Sequence, residues 1–600
     1  MQKPIIRTLQ LMLCGLVATA QTKNIPLQDL SYFENNSGKN WQIVGQATSD
    51  YTQPNQLTTI PGTGVLANIH PRSGKYGLEY ELITNEQHGD LDLSFEFMMT
   101  PGSNSGIYLQ GRYEIQLNDS WGVSTPKYYD LGGIYQRWIE SSQTGYEGYA
   151  PRVNAAKAPG LWQKMEISFQ APRFDSQGKK ISPAKILLIK VNGLTVHENV
   201  TLSGVTRGAL SETEVAKGPL RIQGDHGSLA LRNFQWTSYD QTAGRLDNLA
   251  YRVFYGSYPH DENLDKLKPS ETGKTDAISW EVSKQSNDYA FDIQGDYFAP
   301  TAGEYTFQIQ AGGNATLHID GKEILDNKWT VGGESRTAKV QLTAGKHTLR
   351  IFNNKRDGWL KPALGLWSAG PGFRLTPHHA LASVLASKAA DPILITANQP
   401  TIMRSFMDLP TKERLVHAVS VGHPSGLHYT YDLDKGNVVQ VWRGEFLDAT
   451  PMWNDRGDGS SQPLGALTFL GTGLALHPAE GFARDTTGTR FKPKGYQLDD
   501  QDQPTFLYQI FGRNVQDAWR VKDGKMLERS IKADGMGTLQ VRLAQAEQIE
   551  IIRPGLYFIP SGGYFIEVPT GQTLRIENVG SQKALLAYLN SSSFTYKLLF

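Results

Sequence analysis

The sequence predicts an all-β protein of several domains. Strand-like alternation of apolar and polar residues recurs, as in Leu91–Phe97 and Trp162–Phe169. An Asn192-Gly193 pair between two apolar runs is typical of a β-hairpin turn. No stretch of the first 240 residues or so shows a long helical period, and a chain of 600 residues is long enough for several domains.

The alternation divides the chain into three β-rich parts after a short leader. We predict a leader over 1–20, a β-sandwich over 27–240, a second β domain over 246–378 and a third β-rich domain over 392–600. Small and polar residues from Ser383 to Ala390 predict the linker before the last domain.

Composition excludes some classes of partner. Apolar residues make up 39% of the chain and aromatic residues 10%, which is enough for ordinary globular cores. Lys and Arg together number 59, as do Asp and Glu, so no global charge favours nucleic acid or an anionic membrane. We therefore expect no nucleic-acid partner.

The N-terminus has the pattern of a secretory signal. Lys3 and Arg7 precede the short apolar run Leu11–Val17, and Ala18-Thr19-Ala20 is an A-x-A cleavage site. We expect cleavage near Ala20 and a periplasmic or exported protein with no membrane span, because this run is too short to cross a bilayer and no later one is long enough. Cys14 is the only cysteine, so the mature chain would hold no disulfide.

The stretch Asn104–Asp119 predicts a β-hairpin with a polar face. A three-residue loop, Gln110-Gly111-Arg112, pairs Leu109 with Tyr113 and Ile107 with Ile115, which places one apolar set on one side. The other side then carries a carboxylate, amides and a phenol: Asn104, Tyr108, Glu114, Gln116 and Asn118.

Two interpretations of this polar face remain open. Sugar hydroxyls need planar donors and acceptors together with an aromatic face, so the set suits a polyhydroxylated ligand. A solvated outer face of the sheet would have the same residue types.

Several motifs of the first domain together resemble one family. They are P-G-S-N-S-G-I-Y (101–108), Y-E-I-Q-L-N-D (113–119), G-G-I-Y (132–135), P-G-L-W-Q-K-M-E-I (159–167), V-N-G (191–193) and G-P-L-R-I-Q-G-D-H-G (218–227). In this order and spacing they resemble the 3-keto-disaccharide hydrolase domain, a jelly-roll relative of the concanavalin-like lectins and glucanases. The resemblance implies a concanavalin-like β-sandwich and cleavage of glycosides whose sugar carries a ketone at C3.

That chemistry needs a base, an acid and hydrogen-bond donors. The ketone acidifies the C2 proton, a base removes it, the group at C1 leaves, and water then adds back. The paired-acid pattern E-x-D-x-x-E of laminarinase-type glucanases is absent, because Gln116 and Asn118 follow Glu114. We expect no cofactor and assign no metal ligand, because no His and carboxylate pair has metal-motif spacing and H-E-x-x-H is absent; use of a metal by the reaction stays open.

The resemblance directs attention to eight residues. The catalytic candidates are the nearest carboxylates and the histidine of the Asp-His-Gly turn: Glu114, Asp119 and His226. The substrate-binding candidates are Asn104, Tyr108, Gln116, Tyr135 and Gln223. A histidine in that turn can titrate near neutral pH, but it is also consistent with a turn residue capped by Asp225.

The second domain resembles a PA14 domain, a β-barrel. The similar segments are T-A-G-E-Y-T-F (301–307), L-H-I-D-G-K (317–322) and A-G-K-H-T-L-R-I (344–351). The calcium-binding branch of that family uses adjacent aspartates, whereas this strand ends in His318-Ile319-Asp320. A spacer or docking role and a sugar-binding role both remain open, and the third domain receives no assignment.

Three candidate functions are consistent with these observations. The first is an exported enzyme that cleaves 3-keto-glycosides, with a glycoside or oligosaccharide as substrate and an upstream sugar 3-oxidoreductase as a further partner. The second is a non-catalytic glycan-binding scaffold. The third is an ordinary glycoside hydrolase, which the missing paired acids disfavour.

Overall fold

The structure is a computed structural model. It describes residues 22–34, 39–70, 74–259, 263–385, 391–454, 457–534, 539–572, 574–589 and 593–600. The predicted leader and its cleavage site at Ala20 lie outside these residues. Within the described ranges, no helix is long and apolar enough to cross a membrane.

The chain forms two compact units. The large unit combines Lys23–Trp236 with Ala390–Phe600, and the small unit is Thr237–Ala389. The predicted all-β, multidomain fold is confirmed: nearly all regular structure is antiparallel strand, and the helices among the described residues are four short 3₁₀ turns and one short α-helix. These are Leu78–Tyr80, Leu264–Lys266, Trp280–Val282, Leu381–Ser383 and α1 (Thr450–Trp453).

The first part of the large unit is a β-sandwich of two main sheets. Its strands are β1 (Lys23–Asn24), β2 (Trp41–Thr48), β3 (Thr58–Asn68), β4 (Leu82–His88), β5 (Asp90–Met99), β6 (Asn104–Leu109), β7 (Tyr113–Asn118), β8 (Arg137–Ile139), β9 (Thr144–Tyr146), β10 (Gln163–Gln170), β11 (Arg173–Phe174), β12 (Lys180–Ser182), β13 (Lys185–Val191), β14 (Leu194–Thr201), β15 (Gly218–Ile222) and β16 (Leu229–Tyr239). The larger sheet has the order β14-β13-β10-β5-β16-β3-β2, with β1 beside β16, and the smaller sheet has the order β4-β15-β6-β7.

The sandwich core follows from alternation along its strands. In β5, Leu91, Leu93, Phe95 and Phe97 are buried in one apolar cluster with Ile107 and Ile115 of the smaller sheet and many other apolar side chains. The intervening side chains of β5 point to the other side of the larger sheet. The polar side chains of β6 and β7 therefore lie on the face of the smaller sheet that points away from this core.

The small unit has two sheets around one core. Its strands are β17 (Arg245–Tyr255), β18 (Glu271–Lys274), β19 (Tyr289–Ala299), β20 (Gly303–Ala311), β21 (Gly313–Ile319), β22 (Lys322–Thr330), β23 (Ser335–Leu342), β24 (Gly345–Lys355), β25 (Leu364–Gly370) and β26 (Phe373–Pro377). The sheet orders are β18-β17-β19-β24-β21-β22 and β23-β20-β25-β26.

The second part of the large unit holds three sheets. Its strands are β27 (Leu394–Ile395), β28 (Thr401–Asp408), β29 (Arg414–Gly422), β30 (Leu427–Asp432), β31 (Asn437–Asp448), β32 (Ser460–Phe469), β33 (Leu476–Pro478), β34 (Lys492–Leu498), β35 (Pro504–Ile510), β36 (Arg513–Lys522), β37 (Met526–Ala533), β38 (Leu539–Ala546), β39 (Glu550–Arg553), β40 (Leu556–Ile559), β41 (Tyr564–Glu567), β42 (Leu574–Val579), β43 (Gln582–Tyr588) and β44 (Phe594–Leu599). The orders are β27-β31-β30-β29-β28-β32, β33-β38-β43-β42 and β34-β35-β36-β37-β44-β41-β40-β39.

The two parts of the large unit share apolar contacts. Ala158 and Leu161 of the sandwich belong to one buried cluster with Phe558, Phe565 and Leu599. The Ala158 amide also donates a hydrogen bond of 2.9 Å to the Phe600 carbonyl oxygen. This shared core explains why the two segments form one compact unit although 153 residues (237–389) separate them in the sequence.

Candidate functional site

The hairpin of β6 and β7 has the register that alternation predicts. Leu109 pairs with Tyr113, Ile107 with Ile115, and Tyr108 with Glu114. Gln110 and Gly111 both adopt positive φ, 54° and 65°, and close the three-residue loop. The polar face is consequently formed as expected, but it is not a solvated surface: Tyr108, Glu114 and Gln116 are each 2–3% exposed.

Glu114 lies at the centre of this face. A Cβ atom at Gly106, on the neighbouring strand, would overlap its carboxyl group, so the glycine provides the space that the carboxyl occupies. Tyr108 and Gln116 form side-chain hydrogen bonds with the carboxylate. Burial raises the pKa of Glu114 to about 8, and these hydrogen bonds and the Arg221 charge oppose the rise only in part. Glu114 is therefore largely protonated at neutral pH.

Arg221 and Glu81 form a buried ion pair beside Tyr108. Arg221 Nε lies 2.6 Å from Glu81 Oε2, and both side chains are at most 6% exposed. Arg221 Nη1 donates a hydrogen bond of 2.7 Å to the Gly208 carbonyl oxygen. The guanidinium lies 3.7 Å from the Tyr108 ring centroid, so it covers a face of the ring that a sugar would otherwise use.

Glu81 connects this group electrostatically to the Asp-His-Gly turn. Burial raises the pKa of Glu81 to about 7, the Arg221 charge lowers it, and the charges of Asp225 and His226 also affect it. The structure thus places Glu114, Arg221, Glu81 and His226 in one continuous network. Long-range strand pairing creates the network, because β15 pairs with both β4 and β6.

His226 is held by Asp225 and an aromatic ring. Its Nδ1 is hydrogen-bonded to Asp225 Oδ1, and Asp225 Oδ2 accepts a hydrogen bond of 3.1 Å from the Gly77 amide. The Tyr76 ring stacks on the imidazole at 4.5 Å between centroids. Burial alone would raise the pKa of Asp225, but the hydrogen bonds from His226 and Gly77 lower it. An ionised Asp225 can only accept this hydrogen bond, so Nδ1 carries the hydrogen and Nε2 is the ring nitrogen left free to accept one.

Asn104, at the start of β6, and Gln223, directly after β15, each have a buried side-chain amide oxygen. The main-chain N–H of Asn104 donates a hydrogen bond of 3.1 Å to the His226 carbonyl oxygen. The main-chain N–H of Gln223 donates one of 2.9 Å to the Gly106 carbonyl oxygen. The side-chain oxygens Asn104 Oδ1 and Gln223 Oε1 are buried and have no hydrogen-bond partner among the described residues. Such acceptors are costly to bury unless a donor reaches them, and ligand hydroxyls are suitable donors.

Tyr135 and Arg207 form an edge of the face. The Tyr135 amide donates a hydrogen bond of 3.0 Å to the Glu114 carbonyl oxygen. Burial raises the pKa of the Tyr135 phenol, and a hydrogen bond from Arg207 opposes the rise. The Arg207 guanidinium also stacks on Trp138 at 3.6 Å.

The Asp119 carboxylate accepts hydrogen bonds from two main-chain amides. Its Oδ2 accepts a hydrogen bond of 2.9 Å from the Gly102 amide, and its Oδ1 accepts one of 3.2 Å from the Trp121 amide. These bonds hold the chain around the end of β7, near Asn104. The sequence alone indicated neither this use of Asp119 nor the approach of Glu81, Tyr76 and Arg207, which belong to no motif of the face.

The small unit carries an exposed pair of tryptophans. Trp359 is 71% exposed and Trp329 is 38% exposed, and their ring centroids are 6.0 Å apart. Trp329 Nε1 donates a hydrogen bond of 2.9 Å to Asp357 Oδ2, which fixes the ring. In the same unit, Asp320 accepts hydrogen bonds from His347 Nδ1 (2.6 Å) and the Thr348 amide (2.8 Å), and thus holds neighbouring strands together. Over the described residues, no group of three His, Cys, Asp or Glu side chains is arranged to hold a metal ion.

Comparison with domain models identifies two segments. Residues 30–237 match the 3-keto-alpha-glucoside-1,2-lyase-like domain, and residues 260–372 match the PA14 domain. The resemblance that the sequence motifs indicated, in this order along the chain, is confirmed. No curated protein matches the chain.

Solved structures resemble parts of the chain. A proposed glycosyl hydrolase from Parabacteroides distasonis ATCC 8503 is 20% identical with a TM-score of 0.25, over 40% of this chain and 94% of that one. A second from the same organism is 19% identical with a TM-score of 0.25, over 36% and 99%. The PA14 sugar-binding domain of an RTX adhesin is 14% identical with a TM-score of 0.18, over 23% and 100%. Likeness at these TM-scores carries no functional weight, so the domain matches and the site geometry are the basis for assigning a function.

Proposed function

We propose that the sandwich of the large unit cleaves 3-keto-glycosides by elimination at C1 followed by hydration. The matched domain models indicate a carbohydrate-related function for the chain. The specific reaction is the one that the resemblance to this domain implies, and the residues of the site are assigned to its steps below.

The observation that carries this proposal is a candidate acid, Glu114, and a candidate base, His226, in one network. Burial keeps Glu114 protonated at neutral pH, whereas Asp225 orients His226 with Nε2 free to accept a proton. A carboxyl that holds its proton and an imidazole whose orientation is fixed are suitable as the acid and the base of one reaction. The side chain of His226 is 31% exposed, so a substrate can reach it.

The reaction needs one proton removed and one supplied. His226 Nε2 takes the C2 proton, and the electron pair moves toward C3, whose carbonyl oxygen becomes an enolate oxygen. The enolate then reforms the ketone and expels the oxygen at C1, which takes a proton. The resulting C1=C2 bond finally adds water: His226, after its proton exchanges with solvent, supplies the hydrogen at C2, the water oxygen bonds to C1, and the proton that this water loses restores the acid.

Glu114 is protonated at neutral pH, as the acid of this reaction must be. Its carboxyl can donate to the departing oxygen or to the enolate oxygen, with the Arg221 charge nearby. The buried oxygens of Asn104 and Gln223 accept sugar hydroxyls, and Gln116 and Tyr108 fix the Glu114 carboxyl. In this mechanism, Asp119 holds the loop at the end of the hairpin and takes no part in the proton transfers.

The test compares 4-nitrophenyl 3-keto-glucosides, in both anomers, with the parent glucosides in D₂O. Elimination requires release of 4-nitrophenol from a keto substrate only, and solvent deuterium at C2 of the sugar product. Release from the parent glucoside, or a product that keeps its original C2 hydrogen, contradicts the mechanism. An enzyme-free sample of the product measures spontaneous exchange.

A non-catalytic glycan-binding scaffold is the second candidate, and the Trp329–Trp359 pair favours it for the small unit. Tryptophan faces stack on the C–H faces of pyranose rings, and Asp357 lies beside them to accept a hydroxyl hydrogen bond. If the wild-type protein retains a polysaccharide but releases no aglycone from any 3-keto-glycoside, the scaffold function replaces the enzymatic one.

The proposed reaction has consequences for partners and location. Its substrate carries a ketone that ordinary glycosides lack, so a sugar 3-oxidoreductase must act first. We further propose export to the periplasm or beyond, on the basis of the leader pattern that ends at Ala20.

A further inference from the structure

The second part of the large unit contains a large cavity, with a volume of about 1020 Å³. Its walls come from the end of β32 and the loop after it, the loop around Phe482, strand β38, and the turn between β40 and β41. The cavity lies within residues 434–582, away from the residues of the proposed catalytic site. Its size is suitable for a small organic ligand.

Arg542 is a half-buried charged residue in the lining of this cavity. Its Nη1 donates a hydrogen bond of 2.7 Å to Gln545 Oε1, and Nη2 lies 3.5 Å from the Thr472 carbonyl oxygen. Burial lowers the pKa of Arg542. Across the described part of the chain, no carboxylate forms an ion pair with it. Both of its contacts are to neutral groups, so its positive charge has no counter-charge among the described residues.

A buried arginine of the same domain shows the contrast. Arg529 is fully buried, and its Nε and Nη2 donate hydrogen bonds of 2.8 and 2.7 Å to the two oxygens of Asp517. A buried cation without such a partner is costly, because the charge loses hydration and gains no opposite charge. An anion in the cavity would supply what Asp517 supplies to Arg529.

Two further residues of the lining lie near Arg542. Gly473 adopts a φ of 108°, and a Cβ atom there would lie 3.0 Å from Arg542 Nη2. The buried Tyr564 side chain lines the same cavity, and burial raises the pKa of its phenol, which keeps its proton and can donate it in a hydrogen bond. A guanidinium beside a phenol offers a carboxylate a forked donor and a further hydroxyl donor.

Part of the remaining lining is apolar or aromatic. It includes Phe469, Phe482, Leu543 and Ile559, and the Phe482 ring lies edge-on to the buried His477. The lining also carries charged side chains of both signs: Lys435 and Arg484, with Asp434, Asp485 and Glu547. The lining therefore combines apolar side chains with charges of both signs, and Arg542 is the half-buried cation among its described residues that forms no ion pair.

We propose that this cavity binds an organic anion whose carboxylate pairs with Arg542 and Tyr564 and whose aromatic part packs against Phe469 and Phe482. This site is separate from the proposed catalytic site and does not depend on the function proposed for the sandwich.

The test measures binding of 4-fluorobenzoate to the full-length protein by ¹⁹F NMR and calorimetry, with 4-fluorobenzamide and acetate as matched probes. The benzamide keeps the ring and removes the charge, and acetate keeps the charge and removes the ring. We expect saturable binding of the benzoate and at least tenfold weaker binding of the other two. Arg542→Gln should weaken benzoate binding at least tenfold, and Tyr564→Phe should weaken it a few-fold.

Arg575→Gln is the control. Arg575 lies on β42 outside the cavity and pairs with Glu577 at 2.8 Å, so its loss should leave benzoate binding unchanged. Absence of saturable benzoate binding, equal binding of benzamide or acetate, or wild-type affinity in Arg542→Gln overturns the proposal. If Arg542→Gln loses its folded circular-dichroism spectrum, the comparison of the three probes on wild-type protein decides.

Discussion

The guanidinium of Arg221 lies 3.7 Å from the centroid of the Tyr108 ring, on the polar face of the smaller sheet. The same guanidinium forms an ion pair with Glu81 at 2.6 Å, and the Tyr108 side chain forms a hydrogen bond with Glu114. One cation thus holds together a phenol and two buried carboxyl groups that come from three different strands or turns. The site depends on this arrangement more than on any single motif.

Replacement of Arg221 should destabilise the large unit. In Arg221→Met, Glu81 keeps its burial without its counter-charge, which we expect to cost about 3–5 kcal/mol in the free energy of unfolding at pH 8. The measurement is urea unfolding followed by fluorescence. The free energy of unfolding should fall clearly less in the double variant Glu81→Gln/Arg221→Met than the sum of the losses in the two single variants. Additive losses would show that the pair is not coupled.

The stability of the large unit should fall as pH rises from about 5 to 8. The pKa of Glu114 is about 8 in the folded state against 4.5 in the unfolded chain, so the folded state binds more protons in this window. Glu81, with a pKa of about 7, acts in the same direction. Glu114 alone contributes a slope of up to about 1.4 kcal/mol per pH unit.

Urea unfolding at several pH values checks this dependence. Glu114→Gln should flatten the slope, because glutamine does not titrate. The control is Glu166→Gln, an exposed residue that pairs with Lys164 at 3.1 Å. Equal slopes in wild type and Glu114→Gln would mean that Glu114 is ionised throughout the window.

A methyl group at position 106 should disturb the site. In Gly106→Ala, the added Cβ occupies the position of the Glu114 carboxyl, which must move. We expect turnover of a 3-keto-glucoside to fall roughly tenfold to a hundredfold, since small displacements of a catalytic group are costly. Gly358→Ala is the control, because a Cβ there meets no atom within 4 Å. An unchanged turnover rate in Gly106→Ala would show that the position of the Glu114 carboxyl does not matter for the reaction.

The tryptophan pair should retain glycans. Trp359→Ala should reduce retention of the protein on insoluble β-glucan or another polysaccharide, because it removes one stacking face. Trp453→Ala is the matched control, because Trp453 is 65% exposed but belongs to the large unit, and its loss should leave retention unchanged. Pull-down on the polysaccharide measures both variants. Equal retention of the two variants would argue against a role for the pair.

Local alternation predicted the all-β fold and the hairpin register, because side chains on a strand point alternately to its two faces. It also predicted that Glu114, Gln116 and Tyr108 share a face. It did not predict that the face is buried, that Arg221 covers the Tyr108 ring, or that Glu81 lies nearby, because these depend on pairing between strands distant in sequence. The domain limits 27–240, 246–378 and 392–600 and the leader remain predictions.

Turnover of a 3-keto-glucoside by His226→Asn tests the proposed catalytic site most directly. His417→Asn is the matched control, because His417 also pairs with an aspartate, Asp434, at 2.9 Å but lies in the second part of the large unit. We predict that kcat/KM falls by about a hundredfold to ten-thousandfold in His226→Asn and stays at the wild-type value in His417→Asn. A folded His226→Asn variant that releases 4-nitrophenol at the wild-type rate would contradict the role of His226 as the base.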